Sequence, residues 1–358
     1  MKTIKKIWWF ILPLLIIILI RAWASNPLWV EEYYSNGIYP AISRILRFLL
    51  GWLPFSAGDL LYIITTILAI VFLIKTFRQY KFSWKAFGLI LKNSIRAAMW
   101  VYIIFNLFWG LNYYRTGFRS QLQISPDSYS TEDLKKFTGN LIPEINDIRI
   151  HITDAERKDS LYKQVFANAV NCYEKAGKQY PFLTYSGKSI KPSMFNMMGN
   201  YLGFLGYYNP FTGEAQMNTK APSFVLPFTA CHEIGHQLGY GSESEASFAA
   251  YLVSHSSGNN MLKYSACFEL LLFANRELYL ADSGFARQNF KQLDTLVKAD
   301  IRAYRNYLEE YNNPIEPFIT GMYSSYLKAN NQPLGMESYD EVLAWAIAFQ
   351  KKYGKGSK

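Results

Sequence analysis

The sequence predicts a mainly α protein in two parts: three N-terminal transmembrane helices, then a predominantly helical domain with a small β element. Three observations predict it. Three strongly apolar stretches, each close to the ~20 residues that cross a hydrocarbon layer, lie before residue 115. Half of the 358 residues are apolar and 18% are charged, below the ~25% usual in soluble domains. Beyond Tyr114, apolar positions recur at helical spacing in several segments.

The first apolar stretch, Trp8 to Trp23, follows Lys2, Lys5 and Lys6. Pro13 does not argue against a span, because helix breakers are tolerated in membrane helices. Ala22-Trp23-Ala24 resembles a small-residue cleavage site, but Arg21 is badly placed for one, and the segment reads as a retained span. Leu60 to Phe77 is the second stretch. Ile95 to Tyr114 is the third, with Arg96 at its start and Trp100, Trp109, Tyr113 and Tyr114 near its ends. Arg44 to Phe55, between the first two, reads as an amphipathic helix lying in the interface.

Charge sets the expected orientation. Three lysines precede the first span, and Lys75, Arg78, Lys81, Lys85, Lys92 and Arg96 surround the connection between the second and third. The connection between the first and second has only Arg44 and Arg47. The positive-inside rule therefore puts the N-terminus in the cytoplasm and everything after Tyr114 on the outer side of a bacterial inner membrane. The expected division is a membrane part over 1–114 and an extracytoplasmic domain over 115–358. The net charge of +10 belongs to the first part, where 12 Lys/Arg face three acids; from Arg115 onward the count is 25 against 24. No folded domain carries the basic excess that a nucleic-acid partner needs.

In the second part, helices are expected from Thr131, over Ala155 to Ala176, Met261 to Leu280, Phe285 to Tyr311 and Tyr339 to Tyr353. Residues 178–221, rich in Gly, Pro, Tyr and Asn, hold short β pieces at most. Tyr207 to Asn218 reads either as a substrate-pairing edge strand or as a plain hairpin. Ser193 to Tyr208 reads as a packed loop rather than a lid. The tail after Tyr353 is expected to fray. Cys172, Cys231 and Cys267 form no disulfide framework, although one bridge between Cys172 and Cys267 is open.

The chemistry is concentrated between Thr229 and Leu252. His232, Glu233 and His236 stand in the order HExxH. On a helix, residues i and i+4 project from one face, so both imidazoles can bind one Zn²⁺. Glu233, one position round, can reach the metal-bound water as general base and pass its proton to a leaving amine. Gly239 supplies a helix C-terminus. A second helix starts at Ser242, which pairs with Glu245 as a capping box. Glu243 and Glu245 are both candidate third ligands. Glu243 is favoured because Ser247 lies four residues on, on the same face. Cys231 points about 100° away from the ligands and reads as a buried thiol. His255 reads as a core or surface histidine rather than an oxyanion donor, and His151 has no motif around it.

The second-helix pattern resembles the ExxA(D/N) signature of gluzincin metallopeptidases. That resemblance implies a zincin-like fold with Glu243 as zinc ligand and Ser247 where Asp or Asn usually hydrogen-bonds a ligand histidine. The chain also resembles an uncharacterised family of bacterial membrane proteins with a zincin signature. The resembling pieces are Phe108 to Arg115, Tyr207 to Asn218, Pro227 to Phe248 and Leu334 to Val342. The expectation is a membrane-anchored zinc metallopeptidase acting on extracytoplasmic peptides or proteins. Its rivals are a catalytically silent binding or signalling module and an amide hydrolase acting on cell-wall peptides. A transporter subunit is disfavoured, because the spans carry few ionisable residues.

Overall fold

The computed structural model describes residues 2–126, 128–153, 156, 162–339 and 341–354. Helix α1 (Lys2–Ala24) holds the first apolar stretch, and a second, α2 (Tyr39–Leu50), follows at a sharp angle. Helix α3 (Ala57–Tyr80) begins at Ser56, whose side chain accepts from Asp59 N, and holds the second stretch. Helix α4 (Trp84–Phe108) begins at Ser83 and packs against α1 and α3. By length and composition α3 and α4 can each cross a membrane. The segment Trp8–Ala24 together with Pro27–Leu50, bent by 95° at the break, makes a third candidate.

Two expectations are corrected here. The third apolar helix covers 84–108 rather than 95–114. The serine cap starts it earlier, and it stops where Trp109 leaves helical geometry ahead of Gly110. A Cβ on Gly110 would lie 2.4 Å from the Phe105 ring, so the close packing there depends on glycine. The chain continues as a buried 3₁₀ turn, Gly110–Tyr114. The amphipathic helix expected over 44–55 is α2, ending at Leu50 and preceded by a π-helix, Val30–Ile38. Its buried face is polar, with Ser43 and Arg47, and its exposed face is apolar, with Ile45, Phe48 and Leu49.

Beyond Arg115 the elements are again mostly helices. Helix α5 (Thr131–Ile150) starts with a complete capping box between Ser130 and Asp133. Helix α6 (Tyr162–Gln179) follows; the expected start at Ala155 lies outside the described residues. Strands β1 (Ile190–Pro192), β2 (Gly206–Asn209) and β3 (Glu214–Met217) form a sheet ordered β1-β3-β2. β1 runs parallel and β2 antiparallel to the central β3, with Tyr207 opposite Gln216. The segment read as a packed loop contains a short helix, α7 (Asn196–Leu202), which exposes Met197, Met198 and Tyr201.

Helix α8 (Leu226–Gln237) lies across the sheet and packs on α9 (Glu243–His255) and α6. Helix α10 (Asn260–Ala281) packs on α5. The single helix expected over 285–311 is two, α11 (Ser283–Gln292) and α12 (Thr295–Glu310), because Asp294 caps a new N-terminus by accepting from Leu296 N. Helix α13 (Glu316–Ala329) was not expected, and α14 (Val342–Tyr353) closes the described chain. The tail 355–358 lies outside the described residues. The main apolar core runs through α5, α6, α8, α9, α10 and α14. Inside it, Asp300 accepts from Arg149 Nε at 2.8 Å and from Tyr264 OH at 2.7 Å, joining α5, α10 and α12.

The N-terminal part docks on the sheet and on the end of α8. Glu214 in β3 accepts from Gly58 N and Ala57 N at 2.7 and 3.2 Å, placing a carboxylate at the N-terminus of α3. Asp59 accepts from Met194 N and Tyr207 OH at 2.7 and 2.5 Å. Glu31 and Arg115 form a two-pronged ion pair at 2.7 and 2.9 Å.

Candidate metal centre

All twelve residues of α8 are buried, which makes its last turn rigid. The helix ends in a Schellman turn: Gly239 N donates to His236 O, and Tyr240 N to Gly235 O. Gly239 has φ +87°, and a Cβ there would lie 2.8 Å from the Tyr39 ring, so geometry and space both demand glycine. The same turn brings the Tyr240 carbonyl within 2.8 Å of His236 Nδ1. The end carbonyls of α8 are met from the N-terminal part. Gln237 O accepts from Tyr39 OH, Ser43 Oγ and Arg47 Nη1, and His236 O accepts from Trp109 Nε1 at 2.9 Å. A guanidinium at a helix C-terminus also complements the macrodipole.

Helix α9 approaches α8 closely because small residues meet at the crossing. A Cβ on Gly235 would lie 3.2 Å from Ala246 backbone atoms and 3.4 Å from Ala249 Cβ. Glu243, the first residue of α9, is thereby placed against both histidines. Its Oε2 lies 3.1 Å from His232 Nε2 and 3.3 Å from His236 Nε2. Its Oε1 accepts from Tyr323 OH at 2.6 Å. His232 Nδ1 lies 3.0 Å from Ser247 Oγ. Each imidazole thus has its Nδ1 engaged and its Nε2 turned toward Glu243.

The structure brings His232, His236 and Glu243 together as a group that could hold a metal ion, with ligand atoms within 4.8 Å of one another. The donor set suits zinc. Bonds of ~2.0–2.1 Å in tetrahedral array put neighbouring ligand atoms roughly 3.3 Å apart, close to the two carboxylate–imidazole separations here. The Nδ1 hydrogen bonds orient the rings as the outer partners of metal-bound histidines do. Burial works against the carboxylate charge of Glu243, but the two imidazoles outweigh it and hold the group well below the usual carboxylate range. Burial would lower His236; Glu243 outweighs that and lifts it to about 9, while burial lowers His232.

Glu233 stands beside the triad and is 4% exposed. Burial pushes its carboxyl up to about 8, against the pull of His236. Its Oε2 has no hydrogen-bond partner among the described residues. Its Oε1 lies against Gly206 of the edge strand β2, where a Cβ would come within 2.8 Å. Glu233, the three ligand-type residues, β2 and Tyr323 share the wall of one cavity of about 1240 Å³.

The remaining candidates lie elsewhere. Glu245 accepts from Phe118 N at 3.0 Å, facing away from the histidines, so only half of the expected capping box forms: Glu245 N donates to Ser242 Oγ. Cys231 is fully buried, and the thiols of Cys172, Cys231 and Cys267 are all free. His255 is exposed at the far end of α9, and His151 bonds the Asp147 carbonyl after α5. Sequence reasoning missed Tyr323, because α13 itself was missed. It also read Trp109 as an interfacial aromatic, whereas its indole holds the His236 carbonyl.

A family model described as "Protein of unknown function (DUF3810)" matches residues 34–347. No curated protein and no solved structure matches the chain. The matched region takes in α2, the apolar helices α3 and α4 and the whole candidate metal centre.

Proposed function

The chain belongs to DUF3810, a family of unknown function, and from its site we propose that it is a membrane-anchored zinc metallopeptidase with a zincin-like centre. The observation that carries the reading is the constellation of two Nε2 atoms and one carboxylate beside a buried carboxyl, Glu233, whose Oε2 meets no donor among the described residues. His232, His236 and Glu243 would hold Zn²⁺. The ion supplies Lewis acidity, polarising a carbonyl and acidifying water.

The chain's own groups do the rest. Glu233 would take a proton from the attacking water and return it to the departing amine nitrogen. Tyr323 and Ser247 keep Glu243 and His232 in place. The outer edge of β2, beside Glu233, offers backbone groups to an extended peptide, and the bare Cα of Gly206 leaves room for the Glu233 carboxyl next to it. The charge bias supports a centre on the extracytoplasmic side. Arg47, one of only two basic residues in the outer connection, is itself buried against α8.

The test compares purified wild type and Glu233→Gln. Both should carry about one zinc per chain, and strains bearing each should differ in the processed termini of their extracytoplasmic proteins. Identical profiles, with zinc present in both proteins, would sink the enzyme reading in favour of a silent binding module.

A further inference from the structure

The cavity at the metal centre continues into the membrane helices. Tyr62 of α3 and Ala98, Val101, Tyr102 and Phe105 of α4 line it together with Trp109. Trp109 is the upper end of this wall, its ring 5.8 Å from that of His236. Ala98 is the lower end, 11 residues earlier on α4. At 1.5 Å per residue that is about 16 Å, or half of the ~30 Å hydrocarbon thickness. The cavity is therefore a groove about as long as one leaflet is thick, with the candidate metal ligands at its head.

The groove also opens sideways. Val101 lines it and is 54% exposed, on a helix whose outer surface is apolar. Helices α7 and α13, which also supply lining residues, expose apolar side chains too. Met194, Met197 and Met198 lie exposed around α7, and Phe318 and Met322 lie exposed on α13, which packs against α7. Patches of this kind mark membrane or protein contact, and α13 meets α4 where the Tyr326 ring lies 6.3 Å from that of Phe105.

Resting on the metallopeptidase reading, we propose that the substrate is an acylated peptide whose fatty chain enters this groove from the outer leaflet and sets an amide near its anchor against the metal centre. Water adds to that carbonyl carbon, the C–N bond breaks, and Glu233 delivers the proton to the amine nitrogen. A chain moving from lipid into an apolar groove gains little hydrophobic energy, so its contribution is placement: the tethered amide is held where it reacts. A soluble peptide would leave the groove unfilled. An intact spanning helix would need about 30 Å of apolar wall, about twice the length of α4 between Ala98 and Trp109.

The test uses full-length, zinc-loaded Glu233→Gln protein in phosphatidylcholine vesicles, so the reading of binding does not depend on turnover. The probe is an N-palmitoyl peptide with a photoreactive diazirine at the end of the chain. Adducts are expected on Tyr62 and between Ala98 and Phe105, displaced by unlabelled palmitoyl peptide but not by the same peptide without its acyl group. Val101→Trp, which fills the groove, should cut labelling by about tenfold; Leu107→Trp, exposed on the same helix and outside the groove lining, should not. Labelling scattered over lipid-facing side chains such as Ile67, and indifferent to Val101→Trp, overturns the proposal. Displacement by an unacylated apolar 20-residue peptide (long enough to span) overturns it in favour of a membrane polypeptide. Groove labelling without any wild-type hydrolysis removes the peptidase reading and leaves acyl binding standing. Hydrolysis of soluble peptides without groove labelling does the reverse.

Discussion

Residue by residue, the site depends on groups whose ionisation is set by burial. Glu269 of α10 lies on the cavity wall, away from the ligands, and shows the effect by itself. Burial alone raises its carboxyl to about 7, and its Oε1 has no hydrogen-bond partner among the described residues. A raised carboxyl pKa means that the folded state holds the proton more tightly than the unfolded chain. Its contribution to stability is full below pH ~4.5 and is lost as pH rises through 7. Glu269→Gln cannot ionise, so the variant should gain on wild type between pH 5 and pH 8, by at most about 3 kcal/mol. Melting curves of both proteins at the two pH values read the difference. A constant offset would show that Glu269 ionises freely. Glu233, Glu243, His232 and His236 were all legible as residues, because HExxH spacing and an acidic second helix are local patterns. The preference for Glu243 over Glu245 became a matter of geometry once α9 was seen crossing α8 at Gly235.

At the scale of elements, the close contact between α3 and the sheet links the apolar helices to the wall beside Glu233. A Cβ on Gly58 would lie 2.4 Å from Asn209 Nδ2 and 2.6 Å from Gln216 Nε2. Gly58→Val should therefore push β2 and β3 away from α3. Overpacking of this kind costs typically about 1–3 kcal/mol, and the shift of β2 should lower hydrolysis while the metal content stays unchanged. Thermal melting, metal analysis and peptide turnover measured together check this; an unchanged melting point and turnover would show that the contact can relax. Helix boundaries were legible where a cap stood beside a periodic run, as at Ser130 and Ser242. They were misread where packing overrode periodicity. The end of α4 is decided by Phe105 pressing on Gly110, and the break at Asp294 by a single side chain accepting from Leu296 N. The helix α13 escaped notice because its apolar residues are largely exposed and give no core-facing stripe.

For the whole molecule, orientation decides what the centre can reach. The basic residues around 75–96 stand at one end of α3 and α4, and the candidate metal centre joins the other end through Trp109 and the 3₁₀ turn. In the orientation we propose, with the basic end cytoplasmic, the candidate centre would face outward. The three native thiols are buried, so single introduced cysteines report sidedness cleanly. Lys291→Cys should react with a membrane-impermeant maleimide in intact cells, and Lys85→Cys only after lysis. The opposite pattern would turn the protein over and place its substrates in the cytoplasm.

The sequence by itself determined the mainly helical class, the apolar helices, the charge bias and the local spelling of a candidate metal centre. These are properties of residues within a turn or two of each other, where spacing alone dictates which side chains share a face. Tertiary structure alone decided that the apolar helices are part of the site. Trp109 bonded to His236, Arg47 on the end of α8, Glu214 capping α3 and a groove descending along α4 join residues separated by more than a hundred positions. No periodicity records such contacts, because they arise from which surfaces fit once the helices have formed.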